Sequence, residues 1–188
     1  LLELARAAAS VDPGAFNRAA EVLLEAYLRG NTVFSCGNGG SAAIANHLQC
    51  DHLKGVRSGT DLAPRVVSLS SNLELLSAIA NDISYDEVFR FQLESQLSPG
   101  DVVVAISSSG RSANVVRAIE WANAHGGHTL ALTGFDGGEA AKLAQVVLHV
   151  DCHNYGVVED LHQALMHALA QYVRQSRMTP EAFASAKF

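Results

Sequence analysis

The chain has 188 residues, 48% of them hydrophobic and 6% aromatic, with a formal net charge of −6 at pH 7. That length suits one domain with a core built mainly from Ala, Val and Leu. An acidic balance with no basic block argues against a nucleic-acid partner, and no segment approaches the roughly 18 apolar residues of a membrane helix. Cys36, Cys50 and Cys152 are odd in number and widely spaced, which fits reduced thiols in a cytoplasmic protein. The first residues, Leu1-Leu2-Glu3-Leu4-Ala5-Arg6, carry an acid and no charged-then-apolar signal pattern.

Residues 1–30 read as two helices that pack on the domain or on a partner subunit. Asp12-Pro13 is a start signal, since Pro suits the first helical turn. From there Ala15, Phe16, Ala19, Ala20, Val22, Leu23, Leu24 and Leu28 make a broad apolar stripe that Gly30 ends. Residues 31–177 then alternate between strand and helix, and 178–188 form a C-terminal tail. Strands are predicted at 32–36, 65–69, 101–107, 128–133 and 146–150. Helices are predicted at 41–54, 72–81, 112–125, 138–144 and 158–174. A short continuous apolar run such as Val102-Val103-Val104-Ala105-Ile106 belongs to a parallel sheet covered on both faces. The predicted fold is therefore α/β: a three-layer doubly wound sandwich with a five-stranded parallel sheet, preceded by N-terminal helices. Ligands are expected at the carboxyl ends of the strands.

Two turns carry chemistry. In Val33-Phe34-Ser35-Cys36-Gly37-Asn38-Gly39-Gly40-Ser41 a strand runs into glycines and then into an alanine-rich helix. Glycines let the backbone approach a ligand closely, and the helix start offers unpaired N–H groups and the positive end of a dipole to an anion. Ser41 can cap the helix or donate its hydroxyl to the same anion. The second turn, Ile106-Ser107-Ser108-Ser109-Gly110-Arg111-Ser112, stands at the equivalent place after a buried strand. Either turn alone is compatible with a βα connection that binds nothing. Two in one sheet, one rich in hydroxyls and neither with a Walker lysine, point to a phosphorylated, polyhydroxylated ligand.

Gly37-Asn38-Gly39-Gly40-Ser41, Ala80-Asn81-Asp82, the Ser107-to-Ser112 turn with Ala113-Asn114-Val115, and Leu132-Thr133-Gly134-Phe135-Asp136-Gly137-Gly138 stand in the order and spacing of sugar isomerase (SIS) domains. Among these the chain most resembles the phosphoheptose isomerases, over about residues 10–175. The resemblance implies interconversion of sedoheptulose 7-phosphate and D-glycero-D-manno-heptose 7-phosphate for heptose and cell-surface carbohydrate synthesis. It also implies a homotetramer with sites at subunit contacts. It places Asn38, Gly39, Gly40, Ser41, Asn81, Asp82, Ser107, Ser108, Ser109, Ser112 and Glu159 on the sugar phosphate. The alternatives are an isomerase of another sugar phosphate, or a non-catalytic SIS module that binds a phosphosugar or a protein.

His47 and Asp51 are four apart on one predicted helix, and Glu159 and His167 eight apart on the last, so each pair shares a helix face. On their own these are compatible with solvated pairs or with ligands to a divalent cation. The resemblance implies that His47, Asp51, Glu159 and His167 bind Zn2+ or another divalent ion, with Asp51 and His167 as the acid/base pair. Three positions depart from the family pattern: Asp51 stands for Glu, Glu159 for Gln, and Gly156 for an Asp near the substrate. His162 and His52 are stand-ins close by in sequence, each also readable as a surface or supporting histidine.

Overall fold

A computed structural model describes residues 1–186. Five parallel strands form one sheet in the order β2-β1-β3-β4-β5: β1 (Thr32–Gly37), β2 (Arg65–Ser68), β3 (Val102–Ser107), β4 (His128–Thr133) and β5 (Val146–His149). Side chains of successive strand residues alternate between faces, and β3 divides accordingly. Val102, Val104 and Ile106 join a core with helices α2 (Pro13–Arg29), α3 (Gly40–Cys50) and α8 (Tyr155–Gln175). Val103 and Ala105 join the opposite core, with α4 (Leu73–Asp82), α5 (Arg90–Gln96), α6 (Ala113–Ala124) and α7 (Gly138–Leu143). Both faces are covered, which is why β3 is buried throughout and reads as an unbroken apolar run.

The N-terminal helices pack on this sandwich. Asp12 caps α2 by accepting from the Gly14 and Ala15 amides at 2.8 and 3.1 Å, and Gly30 closes it in the left-handed conformation at φ 74°. Helix α1 (Leu2–Ala9) sets Ala7 against Val150, Val158 and Leu161, beside α8.

Two elements differ from the predicted pattern. The predicted helix 41–54 ends its α-helical part at Cys50 and continues as a π-helical turn, Asp51–Val56. The segment between α4 and β3, which has no predicted helix, forms a 3-10 turn at Tyr85–Glu87 and then α5. It buries Val88, Phe89 and Leu93 against the sheet, and the buried Gln92 amide donates to the carbonyls of Leu69 at 3.0 Å and Val88 at 2.8 Å. The apolar residues here are too few for a helical period, so this helix exists by tertiary burial rather than by its own pattern. A short helix α9 (Pro180–Ser185) starts on Thr179 in the tail.

Candidate active site

Strand order explains where a site forms. From β1 the chain crosses to β2 on one side, and from β3 it crosses to β4 on the other, so β1 and β3 flank the point where the winding reverses. The turns leaving their carboxyl ends diverge there and leave a crevice. Helix α3 starts on one face of the sheet and α6 on the other, and neither has a side-chain hydrogen bond capping it. Two sets of helix-start amides thus open toward one place.

Backbone geometry holds the two turns in position. Gly39 has φ 54° and ψ −122°, a region that side-chain-bearing residues rarely occupy. The Ser70 hydroxyl donates to the Gly37 carbonyl at 2.9 Å and accepts from its amide at 3.1 Å. On the second turn Gly110, at φ 64°, packs backbone to backbone against Gly137, and its carbonyl accepts from Ala140 at 3.0 Å. The turns are joined by a paired amide contact: Asn38 donates to Asn114 at 2.9 Å, and Asn114 donates back at 3.0 Å. Tyr85 also donates to Asn38, at 2.9 Å. Asn38 therefore spends its side chain on bracing the crevice.

A cavity of about 180 Å3 lies between the turns, lined by Asn38, Ser41, Ile106, Ser107, Ser108, Ser109, Ser112, Tyr155 and Glu159. Ser108 is the informative residue. Its side-chain oxygen is buried and has no hydrogen-bond partner, an arrangement that costs stability unless a ligand supplies the partner. Ser107 donates to Ser112 at 3.3 Å. Phe135 holds a left-handed φ of 53° near the mouth and packs on Tyr155, ring centroids 4.6 Å apart.

Further along α3 and α8 lies a second group. His47 Nε2 is 3.2 Å from Asp51 Oδ1, and His167 Nε2 is 3.5 Å from Asp51 Oδ2. The two imidazoles meet edge to face at 5.0 Å. All three side chains are partly exposed, and a cavity of about 190 Å3 lined by Lys54, Gln171 and Arg174 adjoins Asp51 and His167. Two imidazoles and a carboxylate whose ligand atoms lie within 4.8 Å of one another are a donor set that fits zinc or a similar divalent ion, with room for an exchangeable ligand.

The residues named from the sequence fall into three places. Asn38, Ser41, Ser107, Ser108, Ser109, Ser112 and Glu159 line the cavity between the turns, and Gly39 and Gly40 form its backbone wall. His47 on α3, Asp51 at the start of the π-helical turn and His167 on α8 converge. Asn81 and Asp82 do neither: both are exposed at the end of α4, with Asn81 donating to Asp82 at 2.8 Å. Glu159 lines the cavity with the serines, its Cδ 2.6 Å from where a Cβ on Gly40 would stand, and lies outside the His47–Asp51–His167 group. His52 and His162 are fully buried behind the site. Residues that sequence reasoning passed over are Asn114, Tyr85 and Gln163. Gln163 lies on the α8 stripe halfway between Glu159 and His167, a spacing that was open to inspection.

The family profile of the SIS domain matches residues 2–134. The chain belongs to the SIS-domain family. Relatives at 36–37% identity are phosphoheptose isomerases. One from Alteromonas mediterranea is 37% identical over 173 residues, 90% of this chain and 87% of that one. The solved phosphoheptose isomerase of Neisseria gonorrhoeae matches with a TM-score of 0.85 at 34% identity, covering 93% of this chain and 94% of the other. That of Francisella tularensis matches with the same TM-score, 0.85, at 25% identity, covering 93% and 92%.

Proposed function

We infer that the chain is an aldose–ketose isomerase that converts sedoheptulose 7-phosphate to D-glycero-D-manno-heptose 7-phosphate. The observation that carries this is the sharing of α3 and α8 by an anion cradle and a His/Asp/His group. Glu159, in the cradle, and His167 are eight residues apart, about 12 Å along a helix. An extended seven-carbon chain spans about 9 Å from C2 to a terminal phosphorus at roughly 1.3 Å per bond, a length comparable to that rise. A phosphate held by the serines and helix-start amides would leave the C1–C2 unit to reach toward Asp51 and His167.

Isomerisation moves one proton between adjacent carbons through an enediol. Asp51 and His167 are the acid/base pair: one removes the C1 proton, the proton is returned at C2, and the partner serves the two oxygens. Asp51 Oδ2 stands 3.5 Å from that imidazole, close enough for the two groups to serve neighbouring atoms of one substrate. A divalent cation held by His47, Asp51 and His167 supplies, when bound, polarisation of the carbonyl oxygen. Phosphate contacts to the serines and helix-start amides lie far from the bonds that change, so their binding energy serves positioning.

The assembly we propose is a cytoplasmic homotetramer with sites at subunit contacts. Supporting it, α4 and the turn after it leave Leu73, Ile83 and Tyr85 exposed beside Asn81 and Asp82, a face that a neighbouring subunit would cover, with those two polar residues then serving its site. Light scattering on the purified chain should give four times its mass; a monomer would sink this part. For the reaction, NMR of sedoheptulose 7-phosphate in heavy water, with metal analysis of the same sample, should show the aldose with deuterium at C2. Phosphosugar binding without turnover at any metal content would replace the isomerase with a binding role.

A further inference from the structure

Helix α8 presents two oxygen-bearing residues one turn apart on the stripe that faces α3, Glu159 and Gln163. The SIS resemblance points to Glu159 as the companion of His47, Asp51 and His167, yet the geometry divides the two residues differently. We propose that Gln163, through its side-chain carbonyl, is the further ligand of the cation held by His47, Asp51 and His167, and that Glu159 serves the sugar-phosphate cavity alone. The proposal rests on the reading of that trio as a divalent-cation site.

The Gln163 amide is 2.8 Å from His167 Nε2 and 3.4 Å from His47 Nδ1. His47 faces Asp51 with its other ring nitrogen, so its imidazole lies between Gln163 and Asp51. His167 Nε2 faces both the Gln163 amide nitrogen and Asp51 Oδ2. One ring nitrogen cannot accept from the first and donate to the second at once. Turning the amide by half a rotation exchanges its nitrogen and oxygen in place. The amide oxygen, Asp51 Oδ2 and the His167 Nε2 lone pair then face one another, three acceptors that a cation between them satisfies. A tetrahedron with bonds of about 2.0 Å has edges of about 3.3 Å. The separations of His167 Nε2 from the Gln163 amide, 2.8 Å, and from Asp51 Oδ2, 3.5 Å, lie on either side of that edge.

Glu159 is held elsewhere. Its carboxylate lies over Gly40 at the positive end of α3 and lines the cavity with Ser41 and the Ser107-to-Ser112 turn. There it can accept hydrogen bonds from the hydroxyls of a sugar. Charge follows the same division: with Asp51 as the one carboxylate and Gln163 neutral, a divalent ion keeps a net positive charge for substrate oxygens, which a second carboxylate would cancel.

The test is calorimetric titration of Zn2+ into metal-free protein for the wild type, Gln163→Leu, Gln163→Glu and Glu159→Gln, each checked by thermal melting. Gln163→Leu should weaken Zn2+ binding by about tenfold or more and alter the absorption bands of bound Co2+. Gln163→Glu, which keeps an oxygen in place, should bind at least as tightly as the wild type. Glu159→Gln should leave Zn2+ affinity within about twofold while changing affinity for sedoheptulose 7-phosphate. Unchanged Zn2+ binding in Gln163→Leu, weakened binding in a folded Gln163→Glu, or a loss in Glu159→Gln equal to that of Gln163→Leu would each overturn the assignment. A wild type that takes up no ion would overturn it too, and turnover by that same metal-free sample reports separately on the isomerase reading.

Discussion

At the scale of single residues, two side chains separate binding from chemistry. His167 contacts Asp51 and Gln163 from a partly exposed position and fills no core space, so removing its ring should disturb little else. His167→Ala is expected to lower turnover by about 10²–10⁴-fold, the ordinary worth of a general acid/base. Melting temperature and phosphosugar affinity should stay near wild type; full activity in this variant would remove the pair. Ser108 gives the opposite signature. Its hydroxyl is buried without a partner, so Ser108→Ala forfeits no internal hydrogen bond and relieves a desolvated oxygen. Stability should hold or rise by about 1 kcal/mol, while phosphosugar affinity, read by calorimetry, should fall severalfold. A destabilised Ser108→Ala with normal affinity would mean that the hydroxyl is structural. The sequence pointed to both residues, because helix spacing and turn composition are local. The partnership of Asn38 with Asn114 was not legible, because it joins residues 76 apart through a crevice that exists only once the sheet has formed.

At the scale of elements, legibility followed burial on both faces. All five strands lie within a residue or two of their predicted bounds, since each is a short apolar run between breakers. Helix α5 escaped because seven residues hold too few apolar positions for a period, and its anchor is the sheet behind it. An ion-pair hub reinforces that segment: Glu87 binds both Arg90 and Arg117, which ties the 3-10 turn to α6 and holds the Glu87 carboxyl below its usual range. The π-helical turn was equally hidden, since no composition marks it. It nonetheless begins at Asp51, the residue shared by both imidazoles. The cradle makes its own prediction at this scale. Gly110 has φ 64°, and a Cβ there would run into the Gly137 backbone at the start of α7. Unlike a flexible side chain, that backbone cannot yield without moving the helix. Gly110→Ala should therefore cost about 3 kcal/mol or more in denaturant unfolding and weaken phosphosugar binding. A loss below about 1 kcal/mol would show that the two turns are not rigidly coupled.

At the scale of the whole molecule, the site shares its scaffold with two histidines that the fold keeps neutral. His52 lies on the π-helical turn, fully buried, with Nδ1 2.5 Å from the Tyr27 hydroxyl of α2; burial pulls its pKa down to about 4. His162, on the core face of α8, is also brought to about 4, chiefly by burial. There the Thr133 backbone acts in the opposite sense, while the charge of His149 acts in the same sense as burial. An unfolded histidine titrates near 6.5. Between about pH 6.5 and pH 4 the unfolded chain therefore binds two more protons than the native one at these positions, and stability must fall as pH falls through that window. The loss is about 2 kcal/mol for the pair between pH 6.5 and 5.5, and about 3 kcal/mol for each once the window is crossed. Asp12, Asp61, Glu87 and Asp136 are held below their ordinary range by their amide or arginine partners, so their own losses begin at lower pH. Urea midpoints measured from pH 7.5 to 4.5 should stay level down to about pH 7 and then decline. His162→Gln should decline about half as steeply, because only His52 is left to charge on unfolding. A midpoint level down to pH 5 in the wild type would mean that these rings are protonated in the native state. In that case the packing of α8 and of the π-helical turn against the sheet, on which the placement of His167 and Asp51 depends, would differ from the one described.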